Sequence, residues 1–230
     1  MHINEIPVIT IDGPSASGKG TIAQLVAKKL GFHYLDSGAL YRLVALKTAQ
    51  SQIDIQNQDL LANISQNLDV RFNNEVIYLD GKVVTDEIRT EECGILASQL
   101  ATYPQIREAL KKRQREFCKP PGLVTDGRDM GSIIFPNAIL KVFLTASAEI
   151  RAQRRYKQLI AKGMNANIAN LLHDIEKRDE RDSNRNIAPL QQGADTRLLD
   201  TTSLTISQAQ DAVLSWYNEI CAENSRLTRK

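Results

Sequence analysis

The stretch Val8–Thr21, VITIDGPSASGKGT, decides the fold class of this 230-residue chain. An apolar run typical of a buried strand leads into small residues around Lys19, and apolar residues then recur at helical spacing. Gly13, Gly18 and Lys19 follow the GxxxxGK pattern, in which backbone N–H groups and a lysine surround phosphate oxygens at a helix N-terminus. The spacing therefore predicts a strand, a phosphate-binding loop and a helix.

The rest of the chain alternates apolar segments with helical patterns, which favours a parallel sheet with helices on both faces. The predicted strands of this sheet are residues 8–11, 32–35, 123–125, 139–144 and 198–199. Residues 51–90 instead contain short strand candidates with tight turns at Asn73-Asn74 and Asp80-Gly81, typical of antiparallel hairpins. The predicted fold is α/β, with a five-stranded parallel sheet and an inserted small antiparallel β subdomain.

Composition excludes several classes of protein. The 29 Lys and Arg nearly balance the 27 Asp and Glu, so a nucleic-acid partner is not expected. The sequence has neither a signal peptide nor an apolar stretch of membrane-spanning length, which predicts a cytoplasmic protein without a membrane partner. The three cysteines lack metal-site spacing, and no apolar stripe is left over for a subunit interface. We therefore expect a monomer.

The phosphate loop by itself is compatible with a kinase, a GTPase, an ATP-driven motor or a regulatory nucleotide binder. The Asp-x-x-Gly and Asn-Lys-x-Asp motifs of GTPases are absent from the sequence, whereas Leu123-Val-Thr-Asp126 matches the first half of a motor's Walker B strand. Gly20 occupies the Ser/Thr position whose hydroxyl usually binds magnesium. Thr21 comes next, and it is the candidate metal ligand.

Two polar clusters favour phosphoryl transfer. Asp126-Gly-Arg128-Asp129-Met-Gly131 follows a core strand, at the edge where open α/β sheets bind ligands. Arg178, Arg181 and Arg185 follow steps of three and four, which would place them on one face of a helix. Guanidinium groups stabilise the charge that spreads over a phosphoryl group in transit. The alternative is a solvated helix whose arginines are neutralised by Asp179, Glu180 and Asp182.

Several segments, taken together, resemble the bacterial cytidylate kinases of the nucleoside monophosphate kinase family. They run from Gly13 to Pro189 and read GPSASGKGT, LDSGALYR, ASQLA, REAL, DGRDMG and RDERDSNRNIAP. That family more often has glycine where Ala16 stands. The resemblance implies a P-loop kinase that moves the terminal phosphate of ATP, with Mg²⁺, to CMP or dCMP. It also implies a core of residues 1–50, 91–153 and 186–230, an acceptor-side insertion of residues 51–90, and a helical lid of residues 154–185.

The resemblance further implies a role for individual residues. The ATP-binding loop would comprise Gly13, Pro14, Ser15, Ala16, Ser17, Gly18, Lys19, Gly20 and Thr21. Catalysis would rely on Lys19, Arg178, Arg181 and Arg185. The acceptor would be bound by Ser37, Tyr41, Arg42, Ser98, Arg107, Arg128, Asp129, Arg178, Asp182 and Arg185. Among these, Asp129, Arg107 and Ser98 would read the base, because a carboxylate accepts from cytosine's amino group and the others donate.

Two alternatives stay open from the sequence. A kinase of the same architecture could act on UMP or another small acceptor. An ATP-dependent regulatory or nucleic-acid-binding module could use the basic segment 107–119. That segment has little aromatic interleaving, which disfavours single-strand binding.

Overall fold

The computed structural model describes residues 6–73, 76–161, 163–185 and 187–227. Asn74 of the predicted turn and Asn186 of the segment RDERDSNRNIAP therefore lie outside the described residues. The chain forms two compact units, residues 1–35 with 117–230, and residues 36–116. The second unit is larger than the insertion predicted for residues 51–90, because it also includes the helices on either side of that segment.

The helices and strands are numbered in their order along the chain. Up to the end of the second unit they are β1 (Val8–Asp12), α1 (Lys19–Leu30), β2 (His33–Asp36), α2 (Ser37–Gln50), α3 (Gln58–Gln66), β3 (Val70–Asn73), β4 (Val76–Leu79), β5 (Lys82–Val83), α4 (Glu91–Leu100) and α5 (Pro104–Arg115). The remainder are β6 (Leu123–Gly127), β7 (Leu140–Thr145), α6 (Ala148–Ala161), α7 (Ile168–Asn184), β8 (Arg197–Asp200) and α8 (Ile206–Leu227). A π-helical turn, Met130–Ile134, follows β6.

The first unit is built on a parallel sheet with the strand order β2-β6-β1-β7-β8. The predicted five-stranded parallel sheet is thus confirmed. Every residue of β1 and β6 is buried, as expected for strands that are covered on both faces. Asp12 and Gly127 are partners in the register of these two strands. The loops that begin at Gly13 and Arg128 therefore leave neighbouring strands side by side.

Helices α6 and α7 have a small apolar core of their own, formed by Ala152, Leu159, Leu171 and Ile175. Helix α7 ends at Asn184, so Arg178 and Arg181 lie on it. Arg185 is the residue after the helix, with a φ of −65° and a ψ of 138°. The prediction that one helix carries all three arginines therefore holds for only two of them.

The second unit contains the antiparallel sheet β3-β4-β5, as predicted. Asp80 and Gly81 both have left-handed backbones, with φ values of 50° and 76°, which is typical of the tight hairpin turn. Helix α3 was not predicted, because its nine residues give a short periodic pattern. Its start is fixed by the Asn57 side chain, which accepts from the Leu60 N–H at 3.1 Å.

None of the helices within the described ranges is both long enough and apolar enough to cross a membrane.

Candidate active site

The phosphate loop joins β1 to α1 and has little room for side chains. A Cβ atom on Gly13 would lie 2.0 Å from the carbonyl oxygen of Leu144, and Gly18 has a φ of 94°. Ala16 also adopts a left-handed backbone, with a φ of 56°. This conformation costs an alanine about 1 kcal/mol relative to glycine. Glycine would therefore adopt the backbone of position 16 at a lower cost than alanine.

Lys19 stands at the helical end of the phosphate loop. Its side chain lies across the loop, because its Nζ donates to the Pro14 carbonyl oxygen at 3.1 Å. A charged phosphate oxygen is a stronger acceptor than this neutral carbonyl. The hydroxyl oxygens of Ser15 and Ser17 are buried and have no hydrogen-bond partner within the described residues. Buried polar groups are normally paired, so these hydroxyls are suited to a ligand that brings acceptor oxygens. The loop therefore fits the phosphates of a nucleotide.

Two arginines of α6, neither of them predicted from the sequence, hold the phosphate loop by its carbonyl oxygens. Arg151 donates to Ser15 O at 3.2 Å, and Arg154 donates to Ser17 O at 3.0 Å. Arg151 also forms an ion pair with Asp179 of α7, with 2.6 Å between Nη2 and Oδ2. The only sequence signal for Arg151 and Arg154 was their spacing of three residues on a helix, which any charged helix can show.

Arg128 and Asp182, both predicted from the sequence, form a buried ion pair in which Arg128 Nε lies 2.6 Å from Asp182 Oδ2. Burial opposes the ionisation of Asp182, but Arg128 and Arg178 hold the pKa of this carboxyl below its usual value. Burial likewise opposes the charge of Arg128, and the Asp182 carboxylate raises the pKa of that guanidinium in return. Both groups are therefore charged.

Asp129 and Arg185 join this charged cluster. Arg185 Nη2 lies 3.9 Å from Asp129 Oδ1, and both side chains are buried. The Nε of Arg185 donates to the Ala188 carbonyl oxygen, which holds the arginine outside the helix. The first unit thus brings together five of the predicted residues, which are Arg128, Asp129, Arg178, Asp182 and Arg185. Arg181 lies one turn along α7 from Arg178.

Gly20 lacks the hydroxyl that usually binds magnesium, and the Asp126 carboxylate lies close to this position. A Cβ atom on Gly20 would lie 3.7 Å from Asp126 Oδ1 and 3.5 Å from the Tyr34 hydroxyl, which donates to that carboxylate at 2.7 Å. Thr21, the predicted metal ligand, is exposed. Carboxylate oxygens together with phosphate oxygens and water are the usual magnesium ligands in nucleotide sites. Asp126 therefore has the chemistry that the loop itself lacks at position 20.

In the second unit Arg42 is held by backbone carbonyl oxygens. Its Nη1 donates to Ile88 O at 2.7 Å and to Thr90 O at 3.0 Å. Desolvation by burial lowers the pKa of this guanidinium. Gly94 of α4 makes room for it, because a Cβ atom there would lie 2.7 Å from Arg42 Nη2. Gly94 was not singled out from the sequence, and a glycine inside a helical pattern was the available signal.

The other predicted residues of this unit lie on three helices. Ser37 is buried at the start of α2, and Tyr41 is one turn further along. Ser98 is buried on α4, four residues after Gly94 and so on the same face. Arg107 is 7% exposed, unlike Lys112 and Arg115 on the same helix, and its Nη1 donates to Ala101 O at 3.4 Å. Arg107 is therefore not part of a solvated basic face.

The sequence comparisons match nearly the whole chain to one protein family. Residues 9–219 match the family model for cytidylate kinase. A cytidylate kinase of Nitrosomonas europaea is 56% identical over 219 residues, which is 95% of this chain and 98% of the relative. A cytidylate kinase of Burkholderia mallei is 58% identical over 214 residues, which is 93% of this chain and 94% of the relative.

Among solved structures, a gluconokinase from Sinorhizobium meliloti 1021 aligns with 97% of this chain and 98% of its own, with a TM-score of 0.49 and 15% identity. The assignment to a family therefore depends on the sequence matches, which cover both chains almost completely. On these matches, the chain belongs to the cytidylate kinase family.

Proposed function

We propose that the protein transfers the terminal phosphate of ATP to CMP or dCMP and produces CDP or dCDP. One observation carries the proposal: the phosphate loop with Lys19, and the loop that adds Arg128 to the buried arginine cluster, begin after register partners on adjacent strands. Phosphoryl transfer requires positioning and charge stabilisation more than any covalent chemistry from the protein. A lysine on the donor side and guanidinium groups nearby supply that stabilisation.

In the proposed reaction an oxygen of the acceptor's phosphate attacks the terminal phosphorus of ATP. The bond from that phosphorus to the bridging oxygen breaks, and ADP leaves with the electron pair. Lys19 and the N–H groups of residues 15–20 bind the donor phosphates. Arg178, Arg181 and Arg185 stabilise the charge on the moving group. No side chain has to accept a proton for this step, because the attacking oxygen is ionised at neutral pH.

Magnesium enters the proposal together with ATP. When bound, it would offset the negative charge of the donor's phosphates. Asp126 is the described residue that would help to hold it, because its carboxylate faces the position where Gly20 lacks a hydroxyl. The exposed Thr21 is the weaker candidate.

On the acceptor side we assign phosphate binding to Arg42 and Arg128, with Ser37 and Tyr41 beside Arg42 on the same helix. Arg178 and Asp182 would contact the sugar. The base would be read by Asp129, together with Arg107 and Ser98 as donors to its oxygen and ring nitrogen. Uracil presents a carbonyl where cytosine has an amino group, which costs on the order of 1–3 kcal/mol against a carboxylate.

The proposal includes a lid formed by residues 154–185, which excludes water while the phosphate moves. The separate apolar core of α6 and α7 supports a helix pair that holds its own shape, and Gly163, with a φ of 73°, supports a bend between them. Residues 1–50, 91–153 and 186–230 would form the core, and residues 51–90 would accompany the acceptor. A monomer that acts without nucleic acid completes the proposal.

The decisive experiment measures diphosphate formation from ATP and magnesium with CMP, dCMP, UMP or AMP as the acceptor. We expect CMP and dCMP to give kcat/KM values roughly tenfold or more above that of UMP, from the mispaired group at Asp129. A preference for AMP would contradict the base-reading assignment. Retention on nucleic acid at physiological salt, without any diphosphate product, would instead support a binding module.

Gly94→Ala tests the place of Arg42 in acceptor binding. The new methyl carbon would lie 2.7 Å from Arg42 Nη2 and would displace that guanidinium. Because the arginine side chain is flexible, it can move without disrupting the helix. We expect KM for CMP to rise about tenfold, while the melting temperature stays the same or rises, since alanine favours a helix over glycine by about 1 kcal/mol.

The matched control for Gly94→Ala is Ile95→Ala, because Ile95 is on the same helix and 48% exposed. It should leave KM for CMP unchanged. An unchanged KM in Gly94→Ala as well would remove Arg42 from the acceptor site.

A further inference from the structure

Asp12, the last residue of β1, holds the loop that carries Arg128 and Asp129. Its two carboxylate oxygens accept from the backbone N–H groups of Met130, at 2.9 Å, and Gly131, at 2.8 Å. These amides directly follow the two loop residues in the chain. The contacts join residues 118 and 119 positions apart. The Asp12 side chain thereby fixes the backbone that directly follows Arg128 and Asp129.

The same residue stands at the start of the phosphate loop. Gly13 follows Asp12, and the Gly13 N–H donates to the Gly127 carbonyl oxygen at 3.4 Å. The approach of the second loop is close: a Cβ atom on Gly131 would lie 2.7 Å from Thr10 Oγ1 on β1. The start of the phosphate loop and the loop after β6 are thus both held at the end of β1, where Asp12 lies.

Two parallel N–H donors require two acceptor oxygens, which an ionised carboxylate has and an amide does not. Burial raises the pKa of Asp12 to about 6, and the N–H groups of Gly131 and Met130 oppose that rise. The nearby charges act in opposite directions, Asp129 raising this pKa and Arg128 lowering it. Asp12 therefore loses one of its two acceptors as the pH falls through about 6.

We propose that Asp12 is a positioning residue, whose carboxylate sets Arg128 and Asp129 against the phosphate loop for phosphoryl transfer. The inference rests on the proposed function for the roles of Arg128 and Asp129. The contacts of the Asp12 carboxylate are the backbone amides of Met130 and Gly131. Its loss should therefore affect acceptor binding and turnover, and leave the donor's KM nearly unchanged.

The sign of the stability effect separates this role from a purely structural one. The pKa of Asp12 in the folded protein lies above the ordinary 3.8, so between about pH 4 and pH 6 the folded state binds more protons than the unfolded state. The free energy of unfolding therefore falls as the pH rises through that window. Ionised Asp12 lowers stability at neutral pH, where we infer that it aids activity.

The test compares wild type, Asp12→Asn and a matched control, Thr125→Val. Thr125 is also buried in the sheet, and its hydroxyl donates to the Leu35 carbonyl oxygen of β2 at 3.1 Å. At pH 7.5 we expect Asp12→Asn to raise KM for CMP about tenfold and to lower kcat about tenfold. We expect KM for ATP to change less than threefold. The control should keep all three values.

The pH profile gives a readout that a merely structural residue would not move. The ratio of kcat/KM between wild type and Asp12→Asn should fall towards one from pH 7.5 to pH 5.5, because wild type loses its second acceptor. Titration of the substrate's own phosphate affects both proteins equally and cancels in this ratio. A ratio that is constant with pH, or an equal loss in Thr125→Val, would overturn the proposal.

Amide hydrogen exchange tests the anchor without any activity. In wild type, the protection of the Met130 and Gly131 amides, corrected for intrinsic exchange, should fall below pH 6, while the protection of residues 9–11 in β1 does not fall. This measurement holds even if Asp12→Asn does not fold, or if wild type does not phosphorylate CMP. Constant protection of both amides through pH 6 would contradict the role of Asp12.

Discussion

Arg185→Ala is expected to lower kcat by roughly 10³-fold, the scale of removing an arginine that stabilises transferring phosphate. KM for ATP should change less than threefold, because Arg185 is expected to act on the moving group rather than on bound ATP. The reason is its setting: Arg185 is buried, its Nη2 lies 3.9 Å from Asp129, and its Nε is held by the Ala188 carbonyl oxygen. A guanidinium fixed in this way needs little reorganisation to meet developing charge.

The measurement for Arg185 is steady-state kinetics with both substrates varied, together with a melting curve. Arg185→Lys is the matched variant, since it keeps the charge and loses the planar fork. We expect it to recover part of the lost turnover. If Arg185→Ala loses ATP affinity as much as turnover, the arginine belongs to ground-state binding instead.

Lys19→Met is expected to lower kcat by about 10²–10³-fold, because it removes a positive charge from the phosphate loop and nearly preserves the side-chain shape. The folded state loses one hydrogen bond to the Pro14 carbonyl oxygen, so the melting temperature should change little. Binding of CMP in the absence of ATP should be unchanged, since Lys19 is assigned to the donor.

Calorimetric titration with CMP, alongside kinetics, separates these effects of Lys19. Lys28→Met is the control, because Lys28 is on the same helix and exposed. It should match wild type in turnover and in CMP binding. A turnover in Lys19→Met that stays within a few-fold of wild type would exclude Lys19 from the reaction.

Much of the fold could be predicted because its signals are local. Apolar runs and the turn at Asp80-Gly81 each depend on a few neighbouring residues. The phosphate loop belongs to the same class, since its spacing alone determines where the backbone must curve. The short helix α3 was missed because its pattern is too brief to stand out from the hairpins that follow.

The candidate site was predicted less completely. The resemblance provided the residues, and the structure brings five of them into one charged cluster. Arg151, Arg154, Gly94 and Asp12 were missed, since each acts on backbone or on a side chain that is remote in sequence. Their residue types are common at surfaces or in helices, so composition and spacing do not distinguish them.

By itself, the sequence determined the strand, loop and helix around Lys19, the alternating α/β order and the family. Only the tertiary structure decided that Asp12 anchors amides 118 and 119 residues away, that Ala16 carries a left-handed backbone, and that Arg185 lies beyond its helix. The physical reason is the range of the interactions. Periodicity and turn chemistry act between near neighbours, whereas buried hydrogen bonds and ion pairs arise only when distant segments are packed together.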